Sequence, residues 1–211
     1  SDPYGGLCSI ELEVNVGISP TLTVRSPTEG EVITHGEIVN LWVDVLDIGP
    51  QDVLQETTVQ WMSDIDGLVF EGVTIDGTSL YSLDTLSPGV HTLTVTATDE
   101  ETLTSSESIS IRVNRLPEVQ TLELDPNPIY TTDALEATVA IVDPDSDLTN
   151  TVYQWYENGQ LTGVMGSIVP STDIHSGDEW RLVVTPNDGY INGVSQEISI
   201  IVSNTSPSVS N

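Results

Sequence analysis

The sequence predicts an all-β chain that contains two consecutive β-sandwich domains. Apolar and polar residues alternate with a period of two, as in Leu41-Trp42-Val43-Asp44-Val45. Turn residues such as Asn158-Gly159 and Asp188-Gly189 separate these segments at a spacing of roughly 8–12 residues, which is typical of sandwiches and barrels. One pattern of loop, strand and turn also occurs twice. The chain shows no long stretch with the periodicity of an amphipathic helix.

The repeated pattern is an acidic loop, a strand that contains Gln-Trp, and a turn that ends in Gly. The first copy runs from Asp47 to Trp61 and the second from Asp143 to Trp155, over 14 and 12 positions. A second Asp follows each Trp by 38 or 33 positions: Asp99 and Asp188. Two repeats of one design therefore account for most of the chain.

The strands that precede these Asp residues supply the predicted cores, because side chains alternate between the two faces of a strand. The core residues are Leu41, Val43, Val45, Leu93, Val95 and Ala97 in the first repeat, and Leu135, Ala137, Val139, Ile141, Leu182 and Val184 in the second. We expect Trp61 and Trp155 between the sheets; the alternative, stacking on a sugar, requires an exposed ring. Trp42 and Tyr156 have the opposite parity, so they are the candidates for a ligand or partner contact.

Charge narrows the range of partners. The chain carries 33 Asp and Glu residues against four Arg and no Lys, for a net charge of −29. This field repels nucleic acid and anionic membranes, since phosphate binding needs Lys and Arg, and it attracts cations. No apolar run approaches the ~20 residues that span a bilayer, so we expect no membrane insertion of this segment.

Both ends of the sequence look like parts of further repeats. Placing Asp2 on Asp99 without gaps sets Leu12, Val14 and Val16 on Ile109, Ile111 and Val113. The predicted divisions are a terminal hairpin or strand of an upstream repeat (1–17), two domains (18–115 and 116–204), and a linker or the start of a following repeat (205–211). An isolated closing strand is expected to be disordered, to cover an edge of the first domain, or to complete the sheet of a neighbouring copy. Cys8 is either a small buried apolar residue or paired outside this chain.

Several segments together carry a resemblance to a known group of proteins. They are Ser26-Pro27, Trp61-Met62-Ser63-Asp64-Ile65-Asp66-Gly67 and Leu86-Ser87-Pro88-Gly89 in the first repeat, and Asp143-Pro144-Asp145-Ser146-Asp147 and Thr185-Pro186-Asn187-Asp188-Gly189 in the second. The pattern resembles the Ig-like tandem modules of large bacterial and archaeal surface proteins, including the PKD-type and cadherin-like groups. The resemblance implies two Ig-like sandwiches, an extracellular or cell-surface location, and a role as spacer, adhesive arm or fibre unit, often with calcium at the loops.

The acidic loop of the second repeat is the candidate metal site. Calcium takes six to eight oxygen ligands, mostly carboxylates and carbonyls, and alternate Asp residues converge when a loop curls. The predicted ligands are Asp143, Asp145, Asp147, Asp188 and Asn187. The alternative is that these residues only form turns and cap backbone N–H groups, and Arg115 is expected near the loop, where it can partly replace an ion.

The first repeat departs from this pattern. It has Ile48-Gly49-Pro50-Gln51 where the resemblance leads one to expect Pro-Asp-x-Asp. For its acidic residues we therefore favour the turn-forming interpretation: Asp47, Asp52, Asp99 and Glu100.

The sequence favours a structural or adhesive role over catalysis. His35, His91 and His175 are scattered without metal-ligand spacing, and no Gly-rich phosphate loop joins a strand to a helix, so no enzyme is expected. We expect a segment of a secreted or cell-surface protein, with neighbouring copies or repeats of the same protein as partners. A filament assembled by strand complementation is one version of this. The alternative is a carbohydrate- or protein-binding accessory module of an extracellular enzyme, with a cell-surface or glycan ligand.

Overall fold

The computed structural model describes residues 17–48 and 55–204, which form strands and loops with one short 3-10 turn, Ser171–Asp173. Within these ranges there is no α-helix, and hence none that is long and apolar enough to cross a membrane. The predictions for the strand in residues 1–16, for Cys8 and Asp52, and for residues 205–211 lie outside the described residues. The all-β prediction is confirmed.

The described residues before position 115 form eight strands. They are β1 (Thr21–Ser26), β2 (Glu31–Thr34), β3 (Val39–Leu46), β4 (Thr58–Ser63), β5 (Gly67–Val73), β6 (Thr78–Leu83), β7 (Gly89–Thr98) and β8 (Thr104–Asn114). They form a three-stranded sheet in the order β1-β3-β6 and a five-stranded sheet in the order β2-β8-β7-β4-β5. In β3 burial alternates along the strand as the period-two pattern predicts.

The core of this sandwich contains side chains from both sheets. Leu41 and Val43 come from β3, while Trp61, Leu93 and Val95 come from β4 and β7, and all five are fully buried. The placement of Trp61 between the sheets is thereby confirmed. Trp42, which follows Leu41 in β3, is 43% exposed, as its opposite parity predicts.

Between position 115 and position 204, the last one described, the chain forms seven strands. They are β9 (Glu118–Asp125), β10 (Leu135–Val142), β11 (Asn150–Glu157), β12 (Gln160–Leu161), β13 (Ile168–Val169), β14 (Glu179–Asn187) and β15 (Gln196–Ile201). They form two sheets in the orders β13-β10-β9 and β12-β11-β14-β15. Asn158 and Gly159 join β11 to β12 with φ values of 49° and 80°, the left-handed pair that a two-residue hairpin turn requires.

The second core is closed around two tryptophans. Trp155 and Trp180 are buried and meet edge to face, with ring centroids 6.2 Å apart, and they pack with Leu135, Leu182 and Val184. The Trp155 indole N–H donates to the Gly166 carbonyl oxygen at 3.0 Å. The prediction that Trp155 belongs to the core is confirmed.

The described residues divide into two compact units. The first comprises 17–31, 38–48, 55–84 and 91–111, and the second comprises 32–37, 85–90 and 112–204. The last residues of β8 thus belong to the second unit, together with the loop that follows β10. The predicted ranges 18–115 and 116–204 place these residues in the first domain, and they remain a prediction.

Replacing Trp61 with Ala should lower the free energy of unfolding of the first unit by about 3–5 kcal/mol, because it leaves a large cavity in a closed core. Trp42→Ala is the matched control on the outer face and should change it by less than about 1 kcal/mol. Urea titration followed by the fluorescence of the remaining tryptophans measures both. Equal losses for the two variants would contradict the placement of Trp61.

Candidate functional site

The loop after β10 brings three of the predicted ligands together. One carboxylate oxygen from each of Asp143, Asp145 and Asp147 lies within 4.8 Å of the others. The loop curls because Ser146 takes a left-handed conformation with a φ of 65°, and its N–H donates to the Asp143 carbonyl oxygen at 3.1 Å. The three alternate Asp side chains therefore converge, as their spacing in the sequence predicts.

Asp143 organises this loop through its side chain. Its Oδ1 accepts hydrogen bonds from the backbone N–H of Asp145 (2.7 Å) and of Asp147 (3.2 Å), which is the turn-forming role. Its Oδ2 is buried and has no hydrogen-bond partner among the described residues. Asp143 Oδ1 thus accepts backbone N–H groups, whereas Asp143 Oδ2 is a buried acceptor without a hydrogen-bond partner in the described part of the chain.

Two arginines neutralise the other two carboxylates. Arg115 donates to Asp145 from its backbone N–H and from Nε, both at 2.7 Å, and from Nη2 to the Pro144 carbonyl oxygen at 2.6 Å. Arg112 Nη1 lies 3.3 Å from Asp147 Oδ2. The expectation that Arg115 lies near the loop is confirmed, and Arg112, which no sequence motif singles out, lies there as well.

Arg112 is also held from a second side. Its guanidinium carbon lies 4.3 Å from the centroid of the Tyr190 ring, a cation–π arrangement. In the sequence, the feature that could have drawn attention to Arg112 is its positive charge, because the whole chain carries only four arginines and no lysine. Arg112 and Arg115 thus place half of the chain's positive side chains at one loop.

Asp188 and Asn187, the other two predicted ligands, are occupied by hydrogen bonds in the β14–β15 turn. Asp188 Oδ1 accepts from the N–H groups of Tyr190 (2.8 Å) and Ile191 (2.7 Å), and Asp188 Oδ2 accepts from Asn114 Nδ2 at 2.7 Å. Asn187 Oδ1 accepts from the Gly189 N–H at 2.8 Å. Asp188 is not part of the three-carboxylate cluster, so the fold groups three of the five predicted residues.

The environment of Asp188 favours its ionised form. Burial raises the pKa of the Asp188 carboxyl, but the Asn114 amide and the N–H groups of Ile191 and Tyr190 lower it further, so the net pKa lies below the ordinary value. The carboxylate is therefore a structural acceptor that stays charged at neutral pH.

A calcium ion at the acidic loop has to compete with groups that already pair with these carboxylates. Calcium needs six to eight oxygens, and here Asp145 and Asp147 are paired with guanidinium groups while Asp143 Oδ1 accepts two N–H groups. Asp143 Oδ2 is buried and lacks a hydrogen-bond partner among the described residues. Calcium at this loop stays a prediction, and it requires displacement of Arg112 and Arg115.

A second cluster was not anticipated from the sequence. His175 Nδ1 lies 3.5 Å from Asp178 Oδ2 and 4.0 Å from Glu157 Oε1, and ligand atoms of all three residues lie within 4.8 Å of one another. Burial raises the pKa of Glu157, and a hydrogen bond with Asp178 raises it further. His175 looks isolated in the sequence because it is far from Glu157 along the chain. The pairing of β11 with β14 brings the two residues close together.

His91, by contrast, is a core residue. It is fully buried at the start of β7, and its Nδ1 is hydrogen bonded to Ser63 Oγ at 2.8 Å. Ser63 Oγ also accepts the N–H groups of Ile65 and Asp66, each at 3.1 Å, so this pair fixes the turn after β4. Its role is structural.

The two outward aromatic residues differ in their availability. The Trp42 indole N–H donates to Asp44 Oδ1 at 3.2 Å and leaves part of the ring exposed. The Tyr156 ring lies under Arg181, with the guanidinium carbon 4.2 Å from its centroid, and Arg181 Nη1 donates to Glu197 at 2.7 Å. Trp42 is therefore the more open of the two candidates for a contact.

Comparison with known proteins identifies the fold. The chain matches no protein-family model and no curated protein. A structure of the N-terminal eight Ig domains of the Down syndrome cell adhesion molecule matches 90% of this chain with a TM-score of 0.53 and 17% identity, over 28% of that chain. A titin I-band fragment matches 89% of this chain with a TM-score of 0.51 and 12% identity, over 67% of that fragment.

Together with the sheet orders and the two cores, these matches define the class of protein. The chain contains two Ig-like β-sandwich domains in succession, as the resemblance implies. It spans little more than a quarter of the adhesion-molecule structure that it matches. At identities of 17% and below, the likeness shows the fold alone.

Asn114→Ala should destabilise the second unit by about 1–3 kcal/mol at neutral pH, because it leaves a buried carboxylate oxygen without its donor. The stability that Asp188 contributes is present above its unfolded-state pKa and is lost as pH falls through its folded-state pKa. The substitution raises the folded-state pKa of Asp188 towards the unfolded-state value, so the loss of stability as pH falls should be smaller and should be complete at a higher pH. Urea titrations at several pH values measure both effects.

Asn40→Ala is the control for that experiment, since Asn40 is an exposed residue whose amide oxygen accepts from Ser82 Oγ at 2.7 Å. It should change the free energy of unfolding by less than about 0.5 kcal/mol and leave the pH dependence unaltered. An Asn114→Ala variant that behaves like this control would contradict the assigned role of the amide.

Proposed function

We propose that this chain is a structural segment of an extracellular or cell-surface protein, in which Ig-like domains in series act as a spacer or adhesive arm. The observation that carries the proposal is the presence of two sandwiches, each with its own closed tryptophan core. A domain with its own core needs no other segment to bury its apolar surface, which suits repetition along a chain. One of the similar structures is itself named a cell adhesion molecule, and the other is a fragment of titin.

The charge of the chain supports this role. A net charge of −29 keeps a protein soluble and resists nonspecific association with nucleic acid and anionic membranes. Attachment then depends on specific contacts, either with neighbouring copies or repeats of the same protein or with a cell-surface ligand. Salt screens the self-repulsion of such a surface, which suits a saline exterior.

Assembly into a filament by strand complementation is the more specific form of the proposal. Residues 1–17 align with the closing strand of a repeat, and an extended strand can add to the open edge of another sheet. In the first unit β6 ends the three-stranded sheet and exposes Leu80, which is 62% exposed. This edge offers both backbone hydrogen-bonding groups and apolar side chains to an added strand.

Electron microscopy of the purified chain tests this form. We expect filaments or linear oligomers from the full chain, and monomers from a variant that lacks residues 1–17, because the variant loses the donor strand. Sedimentation velocity gives the same comparison in solution. Compact monomers from both proteins would overturn assembly by strand complementation and leave a spacer role in place.

Calcium at the acidic loop is a further part of the proposal, supported by the three converging carboxylates and by the buried Asp143 Oδ2. The ion has to compete with two guanidinium groups. The double variant Arg112→Ala/Arg115→Ala should therefore bind Ca²⁺ at least about tenfold more tightly at this loop, a change of about 1.4 kcal/mol. Calorimetric titration in moderate salt measures the affinity.

Asp143→Asn, added to that double variant, is the control, because it removes the unsatisfied carboxylate and should abolish the gain. If the arginine variant binds no more tightly than the unmodified chain, the loop is not a calcium site, and its carboxylates serve only the turn and the ion pairs.

The alternative function, a carbohydrate- or protein-binding accessory module, is favoured by one observation. Trp42 leaves part of its ring open on the outer face of β3, where an aromatic side chain can stack on a sugar or pack against a partner. One ring is a small contact, and Tyr156 is already covered by Arg181. The spacer or adhesive role therefore remains the conclusion.

A further inference from the structure

A cluster of possible metal ligands lies in the second unit, at the opposite end of β11 from the acidic loop. Its members are Glu157, His175 and Asp178, and one ligand atom of each lies within 4.8 Å of the others. Glu157 is the last residue of β11, whereas Asp147 of the acidic loop precedes the first, Asn150. Unlike the acidic loop, this cluster sets an imidazole nitrogen beside two carboxylates. Its ligand chemistry therefore suits a transition-metal ion better than calcium.

A tight turn places His175 and Asp178 side by side. The Asp178 N–H donates to the His175 carbonyl oxygen at 3.2 Å, which closes a four-residue turn over Ser176 and Gly177. Gly177 has a φ of 90°, as the third position of a type II turn requires. The Gly177 N–H donates to the Val202 carbonyl oxygen and the Val202 N–H to the Asp178 carbonyl oxygen, both at 2.9 Å. The backbone thus fixes two of the three ligands relative to each other.

The Asp178 carboxylate is held in place by a residue of the neighbouring turn. Asp178 Oδ1 accepts a hydrogen bond from Asn158 Nδ2 at 2.8 Å, and Asn158 Oδ1 accepts one from the Glu179 N–H at 3.0 Å. Asp178 Oδ2 is then the oxygen that faces His175. In metal sites, hydrogen bonds of this kind orient a ligating carboxylate. Asp178 is therefore positioned to bind a partner through Oδ2.

The distances around His175 Nδ1 are those of ligands around an ion. Nδ1 lies 3.5 Å from Asp178 Oδ2 and 4.0 Å from Glu157 Oε1, and both distances exceed the ~2.7–3.2 Å of a hydrogen bond. Ligand atoms that lie about 2.0–2.2 Å from a tetrahedral zinc ion are about 3.4 Å from one another. The distance from His175 to Asp178 matches this value. Glu157 has a long side chain, and its oxygen needs to approach by about 0.6 Å.

The cluster also carries negative charge that no permanent cation balances. Each of the four arginines contacts a carboxylate outside the cluster, and the chain has no lysine. Burial raises the pKa of Glu157, the adjacent Asp178 raises it further, and Asp173 adds a smaller increase, whereas His175 lowers it. Two carboxylates this close repel each other when both are ionised. A divalent cation between them removes that repulsion.

We propose that Glu157, His175 and Asp178 bind a divalent transition-metal ion, which we assign as Zn²⁺ because zinc accepts imidazole and carboxylate ligands together in a tetrahedral arrangement. Three protein ligands leave the fourth position for a water molecule. The ion joins the end of β11 to the turn before β14, and so stabilises the second unit in a chain whose single cysteine allows no internal disulfide. This site is additional to the proposed spacer role.

Calorimetric titration of the full chain with ZnCl₂ tests the proposal, in a non-coordinating buffer with excess CaCl₂ to occupy sites made of carboxylates alone. We expect one saturable zinc site, which His175→Ala and Asp178→Asn each weaken at least about tenfold because each removes a ligand. Zinc should also raise the melting temperature of the unmodified chain, since it binds the folded state, but not that of His175→Ala. Melting in chelator shows whether the variants are folded.

Two control variants separate this site from other sources of zinc binding. His35→Ala removes an exposed histidine that lies outside the cluster. Cys8→Ser removes the single thiol of the chain, which is itself a possible zinc ligand. Neither substitution should alter the affinity.

Nuclear magnetic resonance of the three histidines gives a readout that names the ligand. One equivalent of zinc should shift the imidazole signals of His175, which the His175→Ala spectrum assigns, and leave those of His35 unchanged. The absence of a saturable site, or zinc binding that persists undiminished in His175→Ala and Asp178→Asn, would overturn the proposal. In that case His175 acts only as an ion-pair partner of the two carboxylates. Neither result bears on the spacer role.

Discussion

A carboxylate that folding removes from water needs hydrogen-bond donors or a cation, and this chain has few cations to give. It has four arginines and no lysine against 33 acidic side chains. Two of them are at one loop in the second unit, where Arg115 and Arg112 contact Asp145 and Asp147. In the first unit, Asp47 and Asp99 pair with none of the four arginines, each of which contacts another carboxylate. The distribution of positive charge thus makes two repeats of one design electrostatically different.

The cores tolerate this difference because their centres are built mainly from apolar side chains. Trp61 in one sandwich and Trp155 with Trp180 in the other fill the space between the sheets, and the acidic residues come directly after the core strands end. Burial of large apolar side chains supplies most of the favourable free energy of folding. The loops are then free to vary in charge without loss of the architecture.

Much of the fold could be predicted because it depends on local pattern. Alternation along β3 and the Asn158-Gly159 turn determine strand faces and hairpins from neighbouring residues. The convergence of Asp143, Asp145 and Asp147, five positions in all, is of the same kind. These features require no knowledge of which distant segments meet.

The partners of the acidic residues could not be predicted in this way, because they come from far along the chain. Asn114 reaches Asp188 across 74 positions, and Arg112 reaches Asp147 across 35. His175 meets Glu157 only because β11 and β14 pair. Which carboxylates receive hydrogen-bond donors or arginines depends on long-range packing that the spacing of residues does not show.

The scarcity of basic residues also has a consequence for how the chain is cut. Trypsin-like proteases cleave after Lys or Arg, and here every such bond follows an arginine that is held by the fold. Arg25, Arg112 and Arg181 lie within strands, and Arg115 is bound to Asp145 through both its backbone and its side chain. A protease must draw a substrate segment into its cleft, so cleavage here first requires local unfolding of a sheet or loss of those bonds. The native domains should therefore persist where digestive enzymes of that specificity are abundant.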